Sequence, residues 1–154
     1  MTPTITLGVS LKLYLPLDAT ISWAKEVASL ARSHPAFVSG AVRLFILPSL
    51  PSLPAVVDIV GDAPVFVGAQ DLFWEDCGAY TGGVSGADLV ALGCRFVEVG
   101  HAERRTIFGD DDEVIRRKLE AAVRNGLIPV LCVGERVEQA TSAAAAEKCI
   151  AQIE

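Results

Sequence analysis

The sequence predicts an α/β protein built on a parallel β-sheet that helices cover on its faces. Short, nearly continuous apolar runs alternate along the chain with segments whose apolar residues recur at helical spacing. Four polar residues, Lys12, Gln70, His101 and Glu135, each come just after one of the apolar runs. Parallel α/β folds carry their functional side chains at the carboxyl ends of the strands, so these four residues are expected to share one edge of the sheet.

Five strands and five helices follow from these patterns. The predicted strands are residues 5–11, which we expect to be buried, and residues 42–47, 64–69, 94–99 and 127–133. The predicted helices are a first helix capped by Asp18 and ended by His34-Pro35, then residues 53–60, 85–92, a helix opened by acidic residues 110–113, and an alanine-rich tail, 138–154. The fourth of these has a core stripe of Ile115, Leu119, Ala122 and Val123 and ends at Asn125-Gly126. The tail helix has Cys149, Ile150 and Ile153 as its apolar side. His34 itself is interpreted as a solvated loop residue.

Length and composition favour a single folded domain over residues 1–154. Apolar residues make up 51% of the 154 and charged residues 21%, which is typical of globular chains and not of disordered ones. The formal net charge of −6 argues against nucleic acid or an anionic membrane as a partner. A local site can still bind an anion.

The four cysteines and two histidines do not indicate a metal centre, because they are scattered and form no CxxC pair. Thiols in or beside apolar strands suit a reducing compartment. The first residues, MTPTITLG, lack the features of a secretory signal, and four prolines interrupt the most apolar stretch, 41–69. We therefore expect a cytoplasmic protein that does not span a membrane.

Residues 96–109, FVEVGHAERRTIFG, are the most informative stretch of the chain. A short apolar strand stops at Gly100, His101 stands at its exit, and a charged turn leads into the next helix. One interpretation is a catalytic histidine presented at the sheet edge. The other is a surface loop in which His101 is only a polar exit residue.

Three segments resemble the triosephosphate isomerase family. They are GVSLKLY near the N-terminus, GAQDLFWEDCGAYTGGVSGADLVALGC from Gly68, and GHAERRTIFGDDDEVIRRKLEAAVRNGLIPVLCVGE from Gly100. These motifs occur in the same order as in the family, and the resemblance covers most of the chain, from about residue 5 to residue 138. The resemblance implies a (β/α)8 barrel, of which this chain would form about the first five βα units.

The resemblance also implies an aldose–ketose isomerase that needs no cofactor. The family interconverts glyceraldehyde 3-phosphate and dihydroxyacetone phosphate through an enediol(ate), in glycolysis and gluconeogenesis. His101 matches the family's neutral histidine electrophile, for which triosephosphate isomerase is the standard example. Lys12 matches its lysine, which binds substrate and offsets oxyanion charge, and Ser10 occupies a substrate-contacting position.

Further residues match the family in supporting roles. Glu103 and Arg105 correspond to charges behind the site, while Cys132 and Glu135 belong to the motif of the fifth strand. Thr81 lies in a loop that, in the family, reaches into the neighbouring subunit, so the resemblance implies a homodimer.

Several residues depart from the family pattern. Ser10 and Tyr14 replace asparagines on either side of Lys12, Ala102 replaces a serine, and Gly83 replaces a glutamate in the interface loop. The changes beside Lys12 leave a phosphorylated tetrulose, such as erythrulose phosphate, open as an alternative substrate.

Length is the largest departure, since a full barrel needs about 250 residues. The segment that carries the proton-abstracting glutamate has no counterpart in this sequence, so the chain alone is expected to be inactive. A catalytically inactive half-barrel that serves as an interaction module remains a rival hypothesis. A doubly wound ligand-binding domain is a further one, although no glycine-rich nucleotide loop follows any strand.

Overall fold

A computed structural model of the chain describes residues 5–134 and 142–153. Five parallel strands form one sheet in chain order: β1 (Ile5–Ser10), β2 (Val42–Leu47), β3 (Val65–Ala69), β4 (Phe96–Val99) and β5 (Ile128–Leu131). A doubly wound sheet reverses its strand order at a switch point, whereas this order does not reverse. The sheet is therefore the wall of a half-barrel, and the doubly wound alternative is wrong.

Seven helices connect or follow these strands in the described residues. They are α1 (Leu17–Ser33), α2 (Pro35–Val38), α3 (Leu53–Val60), α4 (Gly86–Ala91), α5 (Ala102–Thr106), α6 (Asp112–Arg124) and α7 (Ser142–Ala151), with a 3-10 turn at Leu50–Ser52 before α3. None of these helices is long and apolar enough to cross a membrane.

The two faces of the sheet bury different side chains, because successive strand residues point to opposite sides. On the convex face, strand residues such as Ile46 and Val97 pack with the helices in the main hydrophobic core. On the concave face, Phe45, Leu47 and Phe96 form a smaller cluster, in which the two phenylalanine rings stack 4.5 Å apart. Gly8 makes room for this cluster, since a Cβ there would lie 2.2 Å from Cζ of Phe45.

The expectation of a buried first strand is wrong for the described structure. Ile5 is 60% exposed and Leu7 48% exposed. The physical reason is that β1 is an edge strand, which pairs only with β2 within the described residues. The bounds predicted for β2 and α3 are confirmed.

Predictions about helix ends were less accurate. Asp18 lies in the first turn of α1 and does not cap it, since the N-cap is Pro16. His34 is exposed and lies between two helices, as expected of a solvated loop residue, but it also has a role: its Nδ1 accepts the N–H of Ala36, 3.2 Å away, and so caps α2. A polar ring at the N-cap satisfies a backbone donor that the helix leaves unpaired.

The apolar faces of the last two helices were also misjudged. Val123 of α6 is exposed, and the buried face of that helix includes Lys118 instead. Ile150 of α7 and Ile153 just after it are exposed. The first residues of the predicted tail helix lie outside the described residues. Helical spacing identifies an apolar stripe but does not show what covers it.

A buried cluster of charges fixes α6 beneath the loops at the carboxyl edge. Lys118, only 2% exposed, donates to Asp71 at 2.8 Å and 2.9 Å and to Asp110 at 2.6 Å. Arg104 lies 3.1 Å from each of the same two carboxylates. Burial raises the pKa of Asp71, and its contacts with Lys118 and Arg104 offset this only in part. Burial acts in the same direction on Asp110, but hydrogen bonds from Arg104 and Lys118 hold its pKa below the ordinary value.

Replacing Asp110 should therefore cause a pH-dependent loss of stability. We expect D110N to cost about 2 kcal/mol at neutral pH, since it replaces a carboxylate that accepts hydrogen bonds from Arg104 and Lys118 with a neutral amide that has one oxygen acceptor fewer. Because the pKa of Asp110 is lowered in the folded state, its contribution is complete above the ordinary aspartate pKa and is lost as the pH falls through the folded pKa. The difference between D110N and the unmodified chain should accordingly shrink below the ordinary aspartate range. Urea unfolding at a series of pH values measures it.

The exposed Asp58 of α3 provides the matched control, since D58N makes the same chemical change. It should stay within about 0.5 kcal/mol of the unmodified chain. A D110N deficit that did not vary with pH would contradict the assignment.

Candidate active site

Lys12 occupies a strained turn directly after β1. Its φ of 49° makes it the one non-glycine residue with positive φ in the described part of the chain. Such a conformation costs roughly 1–2 kcal/mol for a residue with a side chain. Gln70, at the end of β3, holds the turn by donating from Nε2 to the carbonyl oxygens of Lys12 and Leu47, both at 3.0 Å. The backbone of Lys12 is thus fixed by a residue from another strand end.

Glu98 receives the Lys12 side chain on the concave face of β4. The Lys12 ammonium lies 3.1 Å from Oε2 and 3.4 Å from Oε1 of Glu98. The Ser10 hydroxyl donates to Oε2 at 3.0 Å, and the Cys132 sulfur lies 3.7 Å from Oε1. Glu98 is only 8% exposed, so these contacts form a mostly buried polar cluster behind Lys12.

The Cys132 thiol acts as a weak hydrogen-bond donor within this cluster. Burial raises the pKa of Cys132 to about 11, and the neighbouring Glu98 carboxylate adds to the shift. At neutral pH the thiol is therefore protonated and can donate weakly to Glu98. A protonated, partly buried thiol is a poor nucleophile.

His101 is oriented by the short helix α5, which the sequence patterns missed. Gly100, with φ of 75°, ends β4, and His101 then caps α5 by accepting the N–H of Glu103 at Nδ1, 3.2 Å away. In a neutral ring the accepting Nδ1 carries no proton, so Nε2 carries it. Oε2 of Glu103 lies 3.5 Å from the same Nδ1. When the ring is neutral, it can thus donate a hydrogen bond only from Nε2.

Arg105 supports this turn from behind. It donates from Nε to the carbonyl oxygen of Gly100 at 2.8 Å and from Nη1 to Asp112 at 2.6 Å. Arg105 therefore connects the end of β4 to the start of α6. It does not line the cavity described next.

A cavity of about 550 Å³ lies at the carboxyl edge of the strands. Its polar lining includes Lys12, Gln70 and His101, so the expectation that these three share one edge is confirmed. Exposed apolar side chains surround them: Leu13, Tyr14, Ile107 and Phe108. The remaining lining residues are Asp71, Glu98, Glu103 and Arg104.

Of the other residues singled out from the sequence, Tyr14 and Glu103 also line the cavity, and the rest lie elsewhere. Ser10 and Cys132 reach the cavity only through their contacts with Glu98. Thr81 is exposed and does not line the cavity. Glu135 lies outside the described residues.

Glu98 itself was missed by the sequence patterns. It is the only charged residue in the four-residue strand FVEV, and all four residues are buried. A carboxylate inside a buried apolar strand requires a partner, since isolated buried charges are costly. A lone acid within an apolar run is therefore the signal in the sequence that could have identified Glu98.

The fold and the cavity together define a partial (β/α) barrel with a candidate active site at the carboxyl edge of its strands. The family model for triosephosphate isomerase matches residues 5–154. The chain belongs to the triosephosphate isomerase family.

Individual relatives carry two different names. An L-erythrulose-1-phosphate isomerase of Pectobacterium atrosepticum is 49% identical over 149 residues, which are 97% of this chain and 57% of that protein. A triosephosphate isomerase of Moorella thermoacetica is 43% identical over 120 residues, covering 78% of this chain and 47% of that protein. The crystal structure of triosephosphate isomerase from Bartonella henselae superposes with a TM-score of 0.84 at 28% identity, covering 98% of this chain and 60% of that one. The chain thus spans about half the length of the curated relatives it matches.

The turn that carries Lys12 should depend on Gln70. We expect Q70L to destabilise the chain by about 1–3 kcal/mol, because it removes the amide donor of the Lys12 carbonyl oxygen and one of the two donors of the Leu47 carbonyl oxygen, which keeps the N–H of Leu11. Urea unfolding of the 154-residue chain measures the change.

A matched control is Q152L, which removes the one hydrogen bond that Oε1 of Gln152 accepts from the N–H of the exposed Gly134. It should cost less than about 1 kcal/mol. An equal loss of unfolding free energy in the two variants would argue that Gln70 does not stabilise the Lys12 turn.

Proposed function

We propose that this chain forms part of the active site of a sugar-phosphate isomerase, to which it contributes Lys12 and His101. The observation that carries the proposal is that both side chains line one cavity at the carboxyl edge of the barrel wall, and each is held by a contact from another group. Preorganised donors of this kind stabilise charge that develops in a transition state.

The proposed reaction moves one proton between neighbouring carbons of the sugar and one between their oxygens. A base removes a proton from the carbon beside the carbonyl, and the carbonyl oxygen gains negative charge in the resulting enediolate. The hydroxyl proton passes from the neighbouring oxygen to this one, a new carbonyl forms at the deprotonated carbon, and the base returns its proton to the former carbonyl carbon. His101 donates from Nε2 to the developing oxyanion, and the Lys12 ammonium offsets its charge. In the family the base is a glutamate with no counterpart in these 154 residues, so the complete reaction requires a further barrel segment.

A phosphorylated four-carbon ketose is the substrate that we favour. The family resemblance taken alone implies a triose phosphate. The L-erythrulose-1-phosphate isomerase named above is 49% identical over nearly the whole chain, and its name supports a four-carbon sugar. Ser10 and Tyr14, which depart from the family pattern, flank the catalytic Lys12 and support the same choice.

The assembly and location of the protein belong to the same proposal. We propose a cytoplasmic homodimer in which the Thr81 loop lies at the subunit interface. The exposure of Leu13 and Tyr14 beside the cavity supports an interface there, since large exposed apolar side chains favour association.

The substrate can be tested with two completed barrels, each containing residues 1–134 of this chain. One receives the corresponding C-terminal part of the Pectobacterium isomerase and the other that of the Moorella isomerase. We expect both to convert a phosphorylated tetrulose at least as fast as triose phosphate, because Ser10 and Tyr14 belong to the shared half. Steady-state kcat/KM on both sugars decides this.

A preference that followed the C-terminal part would show that the shared half does not set the substrate. Absence of isomerase activity in both completed barrels would favour the inactive half-barrel instead.

His101 should be required for chemistry and not for folding. In the completed barrel with the Pectobacterium part, we expect H101A to lower kcat by about 10²- to 10³-fold, the usual contribution of one hydrogen-bond donor to a developing oxyanion. H34A is the control, since His34 caps α2 and does not line the cavity; its kcat should be unchanged within about twofold. The unextended 154-residue chain should show no turnover. A normal kcat in H101A would refute the assigned role.

A further inference from the structure

We infer that Glu98 determines substrate specificity by accepting a hydrogen bond from a hydroxyl group that a four-carbon sugar phosphate has and a three-carbon one lacks. The inference deepens the proposed function and rests on it. Glu98 lies on the cavity wall together with Lys12 and His101.

One carboxylate oxygen of Glu98, Oε1, can accept a further hydrogen bond. Oε2 receives the Ser10 hydroxyl at 3.0 Å and the Lys12 ammonium at 3.1 Å, both normal hydrogen-bond distances. Oε1 has only a longer ammonium contact of 3.4 Å and the thiol of Cys132 at 3.7 Å. A thiol is a weak donor, and an ionised carboxylate offers about four acceptor positions. Oε1 therefore lacks a close, strong donor among the described residues.

The neighbours of Glu98 hold its side chain in place. Lys12 supplies the compensating positive charge, and Ser10 fixes the orientation of the carboxylate from β1. Ser10 stands next to the Lys12 turn, so one side chain links the turn to the carboxylate. A group positioned by its neighbours in this way loses little freedom when a ligand binds.

The ligand group that fits this position is a hydroxyl donor and not a phosphate. An ionised carboxylate only accepts hydrogen bonds, so it attracts O–H groups and repels phosphate oxygens. Charged side chains on the cavity wall include the cations Lys12 and Arg104, and the carboxylates Asp71, Glu98 and Glu103. With carboxylates in excess, this wall suits the uncharged hydroxyl end of the substrate.

Two unreactive ligands isolate this contact from catalysis. Erythritol 4-phosphate and glycerol 3-phosphate both carry one phosphate and differ by a single CHOH unit. We measure their dissociation constants by titration calorimetry on the completed barrel with the Pectobacterium part, unmodified and as E98A, E98Q and E120Q. Glu120 is an exposed carboxylate on α6 that pairs with Arg116, so E120Q controls for the loss of a negative charge.

The unmodified protein should bind erythritol 4-phosphate about 10- to 100-fold more tightly, the range expected for a hydrogen bond to a charged group. E98A should bring the ratio of the two dissociation constants to about one. E98Q, which preserves side-chain size, should lower that ratio. E120Q should leave it unchanged. A displaced Lys12 would weaken the binding of both ligands alike and leave the ratio unchanged. The ratio therefore distinguishes recognition of the hydroxyl by Glu98 from an effect of Glu98 on the position of Lys12. Circular dichroism and thermal melts verify that the variants are folded.

Two results would overturn the inference: equal affinity of the unmodified protein for the two ligands, or a ratio that persists in both E98A and E98Q. The proposed function fails differently. If the completed barrel isomerised neither sugar and still showed the Glu98-dependent ratio, the isomerase proposal would be wrong and the recognition of a hydroxyl by Glu98 would stand.

Discussion

Glu98 connects the first and fourth strands of the sheet across its concave face. In a flat sheet, strands three positions apart would be separated by about 14 Å between backbones. Ser10 at the end of β1 nevertheless donates to Glu98 on β4 at 3.0 Å. The contact depends on the curvature that sequential parallel pairing allows, and the cavity exists because that curvature brings the strand ends together. Ser10, Lys12 and Glu98 could not meet on a flat sheet.

The candidate active site is held by contacts that come from several successive strand ends. Gln70 after β3 fixes the backbone of Lys12, and Glu98 on β4 fixes its ammonium. His101, just beyond β4, is oriented by the first turn of α5. Each group is therefore positioned by a regular element, which is how a site keeps its geometry without a ligand. The strained backbone of Lys12 is stable because two independent contacts hold it.

Much of the fold could be predicted from the sequence, and the errors have physical causes. The bounds of β2 and α3 could be predicted because proline and glycine residues interrupt the apolar runs at their ends. Periodicity indicated a parallel sheet but could not give the strand order, so the barrel came from the family resemblance. The exposure of β1 depends on an unpaired edge, and the capping by His34 and His101 uses a ring that is not among the usual N-cap residues. Glu98 was missed because its partners Ser10 and Lys12 lie 88 and 86 residues away in the chain.

Stability alone does not account for a carboxylate at position 98. Moving an ion pair out of water costs free energy that its attraction often fails to recover, and a packed apolar residue is frequently as stable. The contrast with Lys118 is informative, since that ammonium has three contacts of 2.6–2.9 Å to carboxylate oxygens and no place on the cavity wall. Glu98, by comparison, has one oxygen with no close donor among the residues that the structure describes, and it does face the cavity. A partly satisfied buried polar group is destabilising unless something else completes it. A substrate hydroxyl is the donor that would complete this one.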